Sequence, residues 1–321
     1  MEYWFGILAN LGIYIILALS LNVIVGLTGL LQLGHAGFFA LGAYAAALTA
    51  MYATVPALGG ANLVLSLAAA VAVSGLFALL LGLPCLRLRG DYLAIATLAF
   101  GEITRMVLNA VEFPGCAVTG GEKFGGATAI ALPWPVQYAI TYSTDYATWP
   151  VILAAVAVTF AFMLNLKRSF IGRAMICIRE DEVAAKSMGI YVPRYKLLAF
   201  FLSATFAGVA GALFAHNPNT GMSISPNEFG LLKTVEILLI VVLGGLGSVT
   251  GSVLAAVVLV FTPELLRFLP HIGDVNLSEQ RQLVYAALLI VIIRLAPNGI
   301  LGLNESPQFI TRFLVNRRRQ L

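Results

Sequence analysis

The feature that most constrains this chain is a series of apolar runs, each about as long as the hydrocarbon core of a bilayer is thick. A membrane-crossing helix needs about 20 mostly apolar residues. Runs of that kind fall at 5–27, 35–55, 61–84, 91–112, 149–166, 197–216, 232–250, 252–270 and 282–300. With no water in the bilayer core, the backbone amides of such a run must bond within their own segment, which selects helices. The expectation is an all-α polytopic membrane protein with about nine (eight to ten) transmembrane helices, forming one transmembrane domain over 1–321. The count is soft by one, because the regions 22–48 and 232–270 are rich in Gly and could contain broken or re-entrant helices. Composition agrees with this class: 60% of the 321 residues are hydrophobic and 11% are charged, against about 25% charged in soluble domains.

Lys and Arg set the orientation of such a chain. Arg87 and Arg89 mark one loop; Lys167, Arg168, Arg173, Arg179, Lys186, Arg194 and Lys196 mark a central one; Arg312, Arg317, Arg318 and Arg319 mark the tail. With nine spans these 13 of the 19 basic residues share one side, the cytoplasm. The C-terminus is then expected inside, and the N-terminus and the segments 113–148 and 217–231 outside.

The central loop, 167–196, separates the runs on either side of it. Residues 180–188 read as a short helix. Glu180, Asp181 and Glu182 crowd its start, where the helix dipole favours negative charge. Glu182 and Lys186 are spaced for an ion pair. Gly189 suits the position after the last turn, and Pro193 is expected to keep the helix from resuming. Val183, Ala184, Ala185 and Met188 form a small apolar face. Two readings stand. Either the helix docks on another protein, which adjacent alanines would let approach closely, or it lies on the membrane surface. A surface anchor would carry Trp, Phe or Leu where this helix has alanines.

Small residues recur four apart at Ala204, Gly208 and Ala212, and at Gly247 and Gly251, the spacing that lets membrane helices pack closely. The stretch 26–37 differs, because it sets Thr28, Gln32 and His35 among glycines at or near membrane depth. The stretch 242–248 resembles it loosely, which suggests an internal two-fold repeat. Charged residues inside spans are few, and each has two readings. Glu102 and Arg105 share a helix face, as a structural ion pair or as the lining of a polar path. Glu236 falls near the outer end of its run, where solvent is the competing reading. His35 has no second His at ligand spacing and reads as a packed or helix-capping residue.

Other functions find little footing. Cys85, Cys116 and Cys177 are widely separated, so neither a metal site nor a disulfide framework is indicated. No cofactor is expected. The Gly-rich stretch 119–126 lacks the Gly-Lys-Ser/Thr ending of a phosphate loop, and none occurs elsewhere. No aromatic and basic interleaving suggests nucleic acid. The start lacks the basic region of a cleavable signal peptide, so the first span is expected to persist.

Taken together, several stretches resemble the membrane subunit of bacterial branched-chain amino acid ABC importers, of the LivM type. They are 29–44 with Gln32, His35 and Gly37, 88–95 around Gly90 and Asp91, 100–105 with Glu102 and Arg105, 119–121, 178–185, 242–248 and 297–302. The resemblance implies a type II ABC importer-like permease without catalytic activity. It implies a coupling helix at 180–188 that docks in a groove of an ATPase, with Glu182, Ala184, Ala185 and Gly189 matching the pattern. On that reading Arg179, Glu180, Asp181, Glu182, Ala184, Ala185 and Gly189 couple to the ATPase. Thr28, Gln32, His35, Glu102, Arg105, Thr119, Gly120, Gly121 and Glu236 are candidates for the translocation path. The implied partners are a LivH-like permease paralogue, two ATPases (LivG- and LivF-like) and a periplasmic or tethered amino acid binding protein. Related permeases carry urea, short amides or aromatic acids. A secondary transporter would need more buried acids for ion coupling than Glu102, and an intramembrane enzyme would need a catalytic constellation that is not visible here.

Overall fold

The computed structural model describes residues 2–52, 61–85, 88, 91–114, 123–126, 130–131, 148–217 and 223–267. These form the helices α1 (Glu2–Asn22), α2 (His35–Tyr52), α3 (Ala61–Cys85), α4 (Asp91–Ala110), α5 (Thr148–Arg168), α6 (Phe170–Glu180), α7 (Glu182–Ser187), α8 (Val192–Ala215), α9 (Leu231–Gly244) and α10 (Val249–Arg267). Among the described residues, five helical segments are long and apolar enough to cross a membrane: Trp4–Leu27, Asn62–Cys85, Tyr92–Ala110, Pro150–Arg168 and Val192–Ala215. The expected span at 282–300 and the basic tail lie outside the described residues, as do Arg87 and Arg89.

The bundle closes around α8, against which α1, α2 and α3 pack. Small residues allow this. A Cβ on Gly42 of α2 would lie 2.4 Å from the Gly208 Cα, and one on Gly208 would lie 2.2 Å from Ser74 Oγ of α3. Ala204 and Ala212 are fully buried on the same helix. The recurrent small residues thus pack helix against helix, where close backbone approach replaces the hydrophobic drive that lipid does not supply. Phe39, Phe214 and Phe229 fill the space beyond with edge-on ring contacts at 5.0–5.9 Å. By contrast α3, α4 and α5 turn leucines, valines and isoleucines outward; Leu80 is 65% exposed and Val158 67%. Apolar surface of that extent suits a lipid solvent.

Two short antiparallel pairings cap one end: β1 (Glu112–Phe113) with β2 (Phe124–Gly125), and β3 (Ile130–Ala131) with β4 (Ser223–Ile224). The second joins the two segments, 113–148 and 217–231, that the charge pattern puts on one side.

Two expected boundaries are corrected. The run 232–250 is not one span. α9 has 14 residues, about 21 Å at 1.5 Å each, too short for a core of about 30 Å. It stops because Gly245 (φ 101°) and Gly247 (φ 84°) adopt conformations closed to other residues. The last central-loop boundary also moves. α8 starts at Val192 rather than 197, with Pro193 in its first turn. An amide there needs no partner within the helix, so Pro193 opens this helix rather than merely blocking the one before.

Candidate functional site

The central loop folds into two helices joined at one residue. Ser169 caps α6, accepting from Gly172 N–H at 3.1 Å. Asp181 ends α6 with its own N–H bonded to Cys177 O, and its carboxylate caps α7 through Val183 N–H at 2.7 Å and Ala184 N–H at 3.0 Å. Glu180 is therefore the last residue of α6, not part of an acidic first turn of α7. The short helix of the loop is Glu182–Ser187, shorter than the expected 180–188, and Gly189 follows it at φ 82°.

The two alanines face opposite ways. Ala185 is buried with Ile178 and Val192, which corrects the expectation that both alanines face a partner. Its burial follows from the return of the chain into α8. Ala184 is exposed, beside Val183 at 73% and Met188 at 82%. Glu182 holds α7 from below, taking Lys196 at 2.7 Å and Lys186 at 3.0 Å. The hydrogen bond from Lys196 is the main reason its carboxyl titrates below the usual glutamate range.

Inward from this loop lie the two helix breaks, and they touch. After a π-helical turn at Val23–Leu27, Gly29 (φ 70°) closes the first break. Leu30 N–H reaches back across it to Ile24 O at 3.2 Å, as in the left-handed ends of helices. A Cβ on Gly26 would lie 2.4 Å from Gly247 N of the second break. Asn22 bridges them: its Oδ1 accepts from Gly247 N–H at 2.8 Å, and its Nδ2 donates to Ser248 O and Ser252 Oγ. Broken helices free backbone carbonyls, and two cations of the loop take them. Arg179 Nη1 donates to Gly26 O at 2.7 Å and to Leu246 O at 3.4 Å. Lys167 Nζ donates to Gly247 O at 2.8 Å.

The polar residues proposed for a path divide. Thr28, Gln32 and His35 are buried in the chain's own interior. Thr28 Oγ1 donates to Ile24 O, Ser203 donates to Gln32 Oε1, and His35 Nε2 lies 2.9 Å from Ser20 Oγ. Gln32 Nε2 and His35 Nδ1 have no protein partner among the described residues. His35 begins α2, whose second amide, Ala36 N–H, is taken by Thr234 Oγ1 of α9 at 3.3 Å. Glu102 and Arg105 do pair, at 2.8 Å, with side chains 28% and 27% exposed. Glu102 Oε1 also accepts from Leu231 N–H, the first amide of α9, and Arg105 reaches Asn227 Oδ1. Glu236 is not solvated at an outer end. It is largely buried against Lys233 at 3.2 Å and accepts from Tyr14 of α1 at 2.9 Å. The start of α9 exposes Leu231, Leu232 and Val235, and Glu236 is on the side that packs on Tyr14 of α1. Thr119, Gly120 and Gly121 lie outside the described residues.

Sequence reasoning missed Asn22, Tyr14 and the inward role of Lys167 and Arg179. Asn22 left a signal, one of two amides within the apolar run 5–27. The cations left none, since their partners are backbone carbonyls.

A family model described as the permease component of the branched-chain amino acid transport system matches residues 3–293. A high-affinity branched-chain amino acid transport system permease protein, LivM of Salmonella typhimurium, is 39% identical, covering 91% of this chain and 68% of its own. LivM of Escherichia coli is 38% identical with the same coverage. The corresponding permease protein LivH of E. coli is 30% identical over 56% of this chain and 58% of its own. No solved structure gives a significant match.

Proposed function

The chain belongs to the branched-chain amino acid transport permease family, and on that premise we propose that it is a membrane-spanning subunit of an ATP-driven importer. In this reading it carries branched-chain, hydrophobic amino acids that a binding protein delivers. It pairs with a LivH-like paralogue, and LivG- and LivF-like ATPases supply the hydrolysis. The C-terminus and the central loop are cytoplasmic, and the meeting of the two glycine breaks supports an internal repeat.

The observation that carries the reading is the outer face of α7. A six-residue helix is too short to be stable by itself. This one is held by Asp181 at its start, by Ala185 in its rear and by the Glu182–Lys196 pair, yet it presents Val183, Ala184 and Met188 to solvent. Such anchoring suits a rigid knob that another protein grips.

The test is Ala184→Trp, with Ala185→Trp as its contrast. Overpacking a tight contact costs about 1–3 kcal/mol. Ala184→Trp is expected to extract as a folded protein but to lose ATPase co-purification and substrate-stimulated ATP hydrolysis. Ala185→Trp is expected to disrupt the loop itself. A helix that merely lies on the membrane would tolerate Trp at 184. ATPase co-purification and leucine uptake at the wild-type level would then overturn the docking assignment.

A further inference from the structure

We propose that Arg179 and Lys167 are coupling residues that act inward, handing displacement of the docking loop to the two glycine breaks. The inference rests on the docking reading of α7 and concerns what happens on the other side of that loop.

The argument starts from connectivity. Only Asp181 separates α6 from α7, and it serves as the end of one and the cap of the other. Ala185 of α7 is buried against Ile178 of α6. The two helices therefore move as one body. Arg179 sits at the end of α6 nearest this joint, and its guanidinium holds Gly26 O of the first break and reaches Leu246 O of the second. Lys167, at the end of α5 and on the far side of α6, holds Gly247 O. The rigid loop is thus tied to both breaks by Arg179, and the end of α5 on which it hangs is tied to the second by Lys167.

The breaks are also tied to each other. Gly26 and Gly247 approach so closely that no side chain fits between them, and Asn22 spans the contact with three hydrogen bonds. The carbonyls concerned are those that lack a helical partner. Charge-assisted hydrogen bonds are shorter and stronger than neutral ones, so they transmit a pull that neutral contacts would not. A shift of α7 under a moving ATPase therefore changes the geometry of α1, α9 and α10 together. Arg179 in this account does not touch the ATPase, although its place in the loop sequence suggests that it does.

The experiment uses the assembled importer in proteoliposomes: this chain, its permease partner, the ATPases and the binding protein. Leucine moved per ATP hydrolysed is measured for Arg179→Ala, Lys167→Ala and the conservative Arg179→Lys and Lys167→Arg. The alanine variants are expected to keep ATPase co-purification and basal hydrolysis while leucine per ATP falls roughly tenfold or more, since Lys167→Ala loses one charge-assisted hydrogen bond and Arg179→Ala two. The conservative variants are expected to recover part of it. A merely structural role would lower yield or thermal midpoint without changing this ratio. A wild-type ratio in both alanine variants overturns the inference. So does loss of ATPase co-purification in Arg179→Ala, which would make Arg179 an ATPase contact. If neither alanine variant extracts as a folded protein, the ties are structural and the inference also falls. Failure of the docking reading is separate, because it appears in Ala184→Trp with both cations intact.

Discussion

Glu182 takes two lysines at once, Lys196 on one oxygen and Lys186 on the other. A carboxyl whose titration is depressed in the fold contributes stability that is complete above the ordinary glutamate range. That stability is lost as pH falls through the depressed value. The hold on α7 should therefore persist at neutral and mildly acid pH and loosen only below the usual carboxylate range. A spin label on Met188→Cys, in a chain otherwise free of cysteine, should be immobile at neutral pH and gain mobility only there. Glu182→Gln should make the label mobile at neutral pH and flatten the profile. An unchanged profile in Glu182→Gln would show that the ion pairs do not hold the helix. A second residue-scale expectation concerns Glu102. Its pairing with Arg105 is legible from three-residue spacing. Its bond to Leu231 N–H is not, because that partner is distant in sequence and becomes a helix terminus only once α9 is seen to start there. Glu102→Ala should thus lower the thermal midpoint more than Arg105→Ala does, since it strands both Arg105 and a helix-terminal amide. Leaving a polar group unsatisfied costs about 1–3 kcal/mol when buried, and less here, because both side chains are more than a quarter exposed. Equal midpoints would argue against the capping role.

At the scale of elements, the sequence signals that survive are the ones with a local cause. Five of the apolar runs, the glycine-rich stretches and the left-handed stop at Gly189 each depend on a residue and its near neighbours, and each has its counterpart among the described residues. Signals whose cause is tertiary mislead. Pro193 reads as a helix stop, yet the chain needs a start at that point. Ala185 reads as surface, yet α8 returns over it. The run 232–250 looks like one span because hydropathy does not register how many positive-φ glycines a helix can absorb. This contrast yields a measurable difference between two glycines. At Gly26 a Cβ would lie 1.9 Å from Asn22 Oδ1 and 2.4 Å from Gly247 N, whereas at Gly189 nothing lies within 4 Å and only the φ of 82° is strained. Gly189→Ala should cost about 1–2 kcal/mol, the local penalty of a left-handed residue. Gly26→Ala must move one helix break off the other and should cost more, with loss of folded yield. If thermal midpoints in detergent come out in the reverse order, the two breaks do not press together as described.

Over the whole molecule, apolar surface covers the sides of the outer helices and exposed basic residues gather on the central loop. Leucine and valine face outward from α3 and α5, while α1 and α8 are mostly buried. The strands that pair 130–131 with 223–224 gather two segments poor in basic residues at one end. The cations Arg168, Arg173 and Arg194 are exposed on the central loop, and an excess of such residues is the mark of cytoplasmic loops. The arrangement makes a direct topological prediction. Cys177 is exposed on α6, and Cys85 is buried at the end of α3. In a chain carrying Cys116→Ala, a maleimide that cannot cross membranes should label Cys177 in inside-out vesicles and leave it unlabelled in intact cells. Cys85 should label in neither until the protein is denatured. Cys177→Ala should abolish the vesicle signal, which assigns it to one thiol. Labelling of Cys177 from outside intact cells would place the docking loop on the wrong side of the membrane for any ATPase. It would reverse the orientation drawn from Lys and Arg and remove the ground for reading α7 as the point where ATP hydrolysis meets the permease.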